Sequence, residues 1–254
     1  MVGSDLGFQV FSWRAEVRPG VWVAFTNAAA GNLALHVGDD PADAHRRRRG
    51  LERAAGLGTR KFQYMNQVHG NDVATVSAVA PGTAGPAPTA DALVTRGAAL
   101  AVMVADCVPV VLVGGATGGG PVLGVVHAGR PGVASGIVPA AVARMRELGA
   151  GDISAWIGPS VCGRCYEVPA GMRAEVASVV PATWCDTSRG TPGLDLPAGV
   201  RQQLESAGVA VAYSGGCTLE DDTLFSYRRD RHTGRFAGLA WAHSGDGTAA
   251  DTDG

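Results

Sequence analysis

Leu100-Ala-Val-Met-Val-Ala-Asp-Cys-Val-Pro-Val-Val-Leu-Val113, followed after a glycine-rich interruption by Val122-Leu-Gly-Val-Val-His-Ala-Gly129, is the stretch that decides the fold class. The runs Leu100 to Val104, Val108 to Val113 and Val122 to Val126 are short, rich in valine and bounded by Asp, Pro or Gly. Branching at Cβ suits a pleated surface, and runs of this length are too short for buried helices. They predict strands, and hence a sheet in the middle of the chain.

Working outward, Val68 to Val76 reads as a further strand. Residues 8 to 26 alternate polar with apolar positions about Pro19-Gly20, the pattern of a hairpin. Asp40 before Pro41 offers an N-cap followed by proline at the first helical position, and Gly56 offers a stop, so residues 41 to 55 are expected to be helical. Toward the C-terminus, helices are expected at Ile137 to Leu148, Ala170 to Val179 and Pro197 to Ala207. Strands are expected at Ile153 to Ile157, Val209 to Tyr213 and Phe236 to Trp241. Strands and helices mix without regular βαβ alternation, which predicts an α+β fold of mixed sheets covered by helices. One compact domain is expected over residues 1–243. From Ser244 the chain is Gly, Asp, Thr and Ala, expected to be a disordered tail over residues 244–254.

The 254 residues are 46% hydrophobic and 17% charged with a net charge of −2, ample for a core and without the basic excess that nucleic acid or an anionic membrane would call for. Small-molecule partners are therefore expected. Met1 to Phe11 lacks a basic start and a long apolar run, and no stretch approaches a membrane span, so the expected location is the cytoplasm. In that compartment the five cysteines are expected to be reduced.

Three segments carry side chains suited to chemistry: Asn66-Gln-Val-His-Gly-Asn-Asp-Val73, Ala105-Asp-Cys-Val-Pro109 and Gly124-Val-Val-His-Ala-Gly129. In each, a His or Cys follows or interrupts a strand-like run among small or turn residues. Two imidazoles and one thiolate, from His69, His127 and Cys107, suit Zn²⁺ and leave a fourth position open for water or substrate. Each histidine could equally serve as a hydrogen-bonded core residue.

The sequence resembles the laccase-domain family, also called polyphenol oxidase or peptidoglycan editing factor proteins. The likeness runs in order through Asn32-Leu-Ala-Leu-His-Val-Gly-Asp-Asp-Pro41, Asn66-Gln-Val-His-Gly70, Ala105-Asp-Cys-Val-Pro109, Val126-His-Ala-Gly129, Ile157-Gly-Pro159, Cys165-Tyr-Glu-Val168 and Phe225-Ser-Tyr-Arg-Arg-Asp230 with Thr233-Gly-Arg235. The resemblance implies zinc on His69, Cys107 and His127. It implies purine nucleoside phosphorolysis, with adenosine deamination and methylthioadenosine cleavage at the same site, on a nucleoside and phosphate. It further implies substrate contacts from Asn32 and from the helix arginines Arg47 and Arg48. One departure stands out: the family turn His-Ala-Gly-Trp-Arg-Gly is here His127-Ala-Gly-Arg-Pro-Gly132, so an anion contact made by that turn must be remodelled or lost.

Helical geometry sorts the run Arg46 to Arg49. Ala44, Arg48, Leu51 and Ala55 share the only apolar stripe, so Arg48, flanked by Arg47, should face the protein while Arg46 and Arg49 face solvent. Cys162-Gly-Arg-Cys165 has the spacing of a redox pair but lacks the βαβ setting, and the resemblance implies instead a loop, Ile157 to Val168, lining the site. His36 and Asp39 could orient a ligand or hold the loop before the helix, and the loop role is the favoured one. Asp106 is the candidate partner of a metal-bound histidine, and Phe225 to Arg235 is rich in Arg and Tyr, which a functional segment and a turn of paired charges explain equally well. Rival readings remain. A His₂Cys set also suits copper, but a laccase trinuclear cluster would need about eight further imidazoles, and the chain has six histidines. Cys107 with a histidine base would make a hydrolase, for which a peptidoglycan precursor is one substrate. The altered turn would also fit a noncatalytic binding protein.

Overall fold

The computed structural model describes residues 9–77, 86–116 and 119–243, so the tail from Ser244 lies outside the described residues. The N-terminal hairpin forms as expected: β1 (Phe11–Arg18) pairs antiparallel with β2 (Val21–Thr26) across Gly20, whose φ of 71° favours glycine. Helix α1 (Pro41–Ala54) starts at Asp40, whose carboxylate accepts from the Ala42 N–H at 2.8 Å. Two short strands follow, β3 (Phe62–Gln63) and β4 (Val73–Thr75).

The expected strand from Val68 to Val76 is thus confined to its last residues. The N–H groups of Val68, His69 and Gly70 all turn onto the Asp91 carboxylate, which takes them out of any ladder, and His69 adopts φ 62°. Val68 is left 56% exposed.

The central strands are β5 (Ala92–Thr95), which the periodicity did not mark, β6 (Ala99–Val104), β7 (Val108–Ala116) and β8 (Pro121–Ala128). After them come α2 (Arg130–Ser135), α3 (Ile137–Glu147), β9 (Ala150–Ile157), α4 (Ala170–Val179), β10 (Trp184–Asp186), β11 (Pro192–Leu194), α5 (Leu196–Ser206), β12 (Ala210–Ser214) and β13 (Phe236–Ala242). These strands form two principal sheets, one of order β1-β2-β13-β6-β3 and one of order β12-β9-β7-β8-β5-β4, with β10-β11 as a separate ribbon.

The two sheets pack face to face. Between them lie Val23, Phe25, Leu100, Val102, Val111, Val113, Leu123 and Val125. On the far side of the six-stranded sheet, Val110, Leu112, Val122 and Val126 meet Ile137, Val138, Ala141 and Met145 of α3 and Val200 and Leu204 of α5. On the far side of the five-stranded sheet, Ala101, Met103, Leu239 and Trp241 meet Leu51 and Ala55 at α1. Four layers result, helix, sheet, sheet, helices. This is why β6, β7 and β8 read as continuous apolar runs: successive side chains point to opposite faces, and both faces are covered. Gly124 lies where α3 comes closest, since a Cβ there would sit 2.9 Å from the Met145 sulfur.

The link between β6 and β7 joins the two sheets. β6 belongs to the first and β7 to the second, so Ala105-Asp106-Cys107 carries the chain across from one to the other. Leu112→Ala should destabilise the protein by about 2–5 kcal/mol, because the helix-facing core cannot collapse fully onto the space. Val68→Ala should leave the urea midpoint unchanged, whereas equal losses would return Val68 to a buried strand.

Candidate metal centre and its two cavities

Three separate elements deliver the reactive side chains. His69 stands in the loop between β3 and β4, Cys107 at the crossing between sheets, and His127 near the end of β8. Their donor atoms all lie within 4.8 Å of one another, with Cys107 Sγ 3.8 Å from His69 Nε2. The two imidazole rings stand 4.6 Å apart, centroid to centroid, and nearly perpendicular.

Asp91, fully buried just before β5, organises the group. Its carboxylate accepts from the backbone N–H of Val68 (3.3 Å), His69 (3.0 Å) and Gly70 (2.6 Å), and pairs with His127 Nδ1 at 2.8 Å. The partner of the buried histidine is therefore Asp91, and the expectation of Asp106 is corrected. Asp106 turns away, accepting from Thr218 Oγ1 and from the Arg228 N–H, each at 2.7 Å. A carboxylate on Nδ1 fixes the ring and leaves Nε2 as the free donor. Sequence patterns did not single out Asp91; the signal available was an acidic residue opening an apolar run, Asp91-Ala-Leu-Val94.

Gln67 secures the other side of the His69 loop. Its amide donates to the Met103 carbonyl at 2.6 Å and accepts from the Met103 N–H at 2.9 Å, which ties the loop to β6. Gly129 provides clearance, since a Cβ there would lie 2.8 Å from His69 Cδ2 and 3.4 Å from Cys107 Sγ. His69 and Asp106 are two of the non-glycine residues with positive φ, at 62° and 84°. Such conformations cost free energy and persist where surrounding bonds over-determine them.

Burial opposes ionisation of Cys107, but His127 and then His69 outweigh it and lower the thiol to about 6. Burial likewise opposes the charged form of His127, yet Cys107 and Asp91 raise it to about 9. Burial alone would raise Asp91, but His127 and the loop N–H groups hold it below its ordinary value. Two imidazoles and an acidified thiol, held open by a glycine, fit a borderline-soft divalent cation such as zinc with a coordination position to spare.

Two cavities flank Cys107. One, of about 650 Å³, is lined by His36, Arg48, Tyr64, His69, Tyr227 and Arg235 among others. The Arg48 guanidinium stacks on the Tyr64 ring at 3.7 Å and donates through Nε to the Leu33 carbonyl at 2.8 Å. Burial, then Arg235 and Arg48, lowers the pKa of His36 and so favours its neutral form. The other cavity, of about 390 Å³, is walled by Arg130, Arg228 and Arg231 with Tyr166 and Tyr227. Arg130 opens α2, and Pro131 occupies its first turn, where a missing N–H breaks no helical bond. The altered turn thus still presents an arginine to a cavity.

The helix arginines separate as their spacing predicts. Arg46 is exposed and pairs with Asp43, while Arg48 enters the cleft. Arg47 is not among the cleft-lining residues; it donates to the Asn32 carbonyl at 3.2 Å and pairs with Asp39. Asn32 is buried, donating to the Ala34 carbonyl and accepting from the Ala34 and Arg235 N–H groups. His36, for which holding the loop is the favoured of two roles in the sequence, lines the cleft, and the segment from Phe225 to Arg235 supplies Tyr227 and several arginines to the two cavities. The sequence leaves their role open because a charged turn looks the same whether it faces solvent or a cavity.

Residues 17–243 match the family model described as multi-copper polyphenol oxidoreductase laccase, and the chain belongs to this family. Within it, a purine nucleoside phosphorylase of Streptomyces coelicolor is 53% identical over 83% of this chain and 87% of its own length. Another purine nucleoside phosphorylase, from Mycobacterium tuberculosis, is 46% identical over 83% of this chain and 84% of its own. The crystal structure of YlmD from Geobacillus stearothermophilus superposes with a TM-score of 0.77 at 30% identity, covering 93% of this chain and all of that one. No helix among the described residues is long and apolar enough to cross a membrane.

With metal removed by a chelator, alkylation of Cys107 should rise with pH through a midpoint near 6, and the midpoint should move upward in His127→Gln. Peptide mapping of the labelled cysteine measures this; an unshifted midpoint would detach the thiol from the imidazole. Separately, Asp91→Asn should weaken metal binding about 10–100-fold, as is typical when a histidine loses its orienting carboxylate. Competition with a chelator of known affinity reads the change.

Proposed function

We propose that this protein is a zinc-dependent purine nucleoside phosphorylase that also deaminates adenosine and cleaves methylthioadenosine, with His69, Cys107 and His127 as metal ligands and catalytic residues. The observation that carries the reading is the placement of these residues between an aromatic cleft and an arginine-walled cavity. The relatives named as purine nucleoside phosphorylases support the phosphorolysis in this reading.

The larger cleft has the size and lining for a nucleoside. Arg48, Tyr64 and His36 offer a cationic stacking plane, an aromatic edge and a neutral imidazole for the base or ribose. Asn32 and Arg47 act one step back by holding the loop that carries Leu33 and His36. The second cavity suits phosphate, because Arg130, Arg228 and Arg231 provide guanidinium forks for its oxygens. In phosphorolysis a phosphate oxygen forms the bond to ribose C1′ while the C1′–N bond breaks. The purine leaves with that electron pair and gains a proton. Holding both reactants on opposite sides of Cys107 removes the entropic cost of bringing them together. Zinc on the three ligands would supply a Lewis acid beside the reacting centre. His127, fixed through Nδ1 by Asp91, keeps its free nitrogen directed at that point.

A second reading draws on one specific observation. Cys107, His127 and Asp91 stand in the order of a nucleophile, base and orienting carboxylate, with the thiol already acidified. This would make a cysteine hydrolase, for which a peptidoglycan precursor is one substrate. Copper oxidase chemistry of the laccase type has less support, because the chain has six histidines in all.

The deciding experiment assays adenosine and inosine with and without inorganic phosphate. Phosphate-dependent release of base with ribose 1-phosphate, abolished by a chelator and restored by Zn²⁺, is the expected result. Activity that survives the chelator but not alkylation would select the cysteine hydrolase. Arg48→Ala should raise the KM for nucleoside roughly ten- to a hundredfold, the worth of one charge-assisted hydrogen bond of about 1.5–3 kcal/mol. Arg46→Ala should leave it unchanged, and equal effects would remove Arg48 from the site.

A further inference from the structure

Cys162 and Cys165 do not face the nucleoside-sized cleft. They converge with Cys217 and Glu220, and the three sulfurs and a carboxylate oxygen all lie within 4.8 Å of one another. The loop is a tight turn, with the N–H groups of Cys165 and Tyr166 both donating to the Cys162 carbonyl at 3.0 and 2.9 Å. Cys217 is brought alongside by a short parallel bridge, in which the Ser160 N–H donates to the Gly216 carbonyl and the Thr218 N–H to the Ser160 carbonyl. The Cys162 N–H points at Cys217 Sγ at 3.4 Å, and Cys165 Sγ donates to Glu220 Oε1 at 3.4 Å. None of the five cysteines forms a disulfide.

Three thiols gathered in this way gain little from each other, because a thiol is a weak donor and a weak acceptor. One disulfide would use two of them and leave the third. A four-donor set with three sulfurs is the composition of a closed, thiolate-rich structural site. Bonds of about 2.3 Å from a tetrahedral zinc to sulfur imply sulfur separations near 3.8 Å, so the cluster closes with adjustments of about 1 Å.

We propose that Cys162, Cys165, Cys217 and Glu220 form a second metal site, structural in role, for a thiophilic divalent cation of the zinc class. On binding, the three thiols release their protons to solvent and the carboxylate binds as it stands. The resulting dianionic centre has cations at hand: Arg164 lies 3.9 Å from Glu220, and Arg189 and Arg228 share a cavity with Cys165. A backbone N–H aimed at a sulfur, as at Cys162, stabilises a thiolate further.

The placement gives the site a purpose. The two segments it joins are those that hold Asp106, through the Val161 N–H to its carbonyl at 3.0 Å and Thr218 Oγ1 to its carboxylate. Asp106, at φ 84°, immediately precedes Cys107, and Val161, Tyr166 and Arg228 wall the smaller cavity. The metal therefore braces the arginine-bearing wall and the strained turn that presents Cys107. This inference does not depend on which reaction the first site performs.

The test counts metal on the full-length protein equilibrated with Zn²⁺ alone, by native mass spectrometry and elemental analysis. Wild type should hold two zinc ions per chain, one for each group of donors. Cys162→Ser with Cys165→Ser should hold one, Cys107→Ser should hold one, and the combination none. Should the double variant fail to fold, Glu220→Gln keeps all three thiols and should release its second zinc to a chelator at least tenfold more readily than wild type. A wild-type protein with a single zinc that Cys107→Ser removes would overturn the second site and leave the first intact. A disulfide among Cys162, Cys165 and Cys217 in freshly isolated protein, seen as a mass lower by two hydrogen atoms, would overturn it in favour of a redox pair.

Discussion

A single buried carboxylate sits at the centre of this structure. Asp91 has no exposure to solvent, and an unpaired charge in that position would be costly. It is compensated by three backbone N–H groups from one loop and by the imidazole of a residue on the neighbouring strand. The same bonds that satisfy the charge bend residues 68–70 out of strand geometry, force His69 to positive φ and point His127 at Cys107. Removing any one partner leaves the others buried with an imperfectly paired charge. The local strain at His69 is therefore sustained by the electrostatics of its anchor rather than by its own side chain.

The layering explains why that anchor sits where it does. β6 and β7 belong to different sheets, so the chain must pass over the rim between them, and Cys107 lies on that passage. β8 and β5 bring His127 and Asp91 to the same end of the second sheet, while Gln67 pins the His69 loop to the first. Rigid, fully buried strands on both sides restrict how far these groups can move. Donor atoms drawn from three distant segments are held together largely by the packing of the strands that carry them, with Cys107 itself resting against the core between the sheets.

The family takes its description from copper oxidation, whereas several relatives are named as nucleoside phosphorylases. The chemistry of the donors bears on that difference. Two imidazoles and one thiol suffice for a single ion with an open position, and the cavities on either side are lined mainly by cationic and aromatic groups, with His36 as the one further imidazole. Arginine forks match phosphate oxygens and aromatic planes match a base.

The amino-acid sequence by itself determined the strands β6, β7 and β8, the hairpin about Gly20, the capped helix α1 and the inward face of Arg48. Each follows from local rules of periodicity, capping and side-chain direction that operate within a few residues. The family motifs also marked His69, Cys107 and His127. Only the tertiary structure decided that Asp91 rather than Asp106 orients His127, that Val68 lies outside a strand, that His36 and Arg235 enter the cleft, and that Cys162 and Cys165 meet Cys217. Those outcomes depend on contacts between residues distant in the chain. A carboxylate in an isolated segment has the same propensity whichever loop will later surround it, and only the packed sheets select its partners.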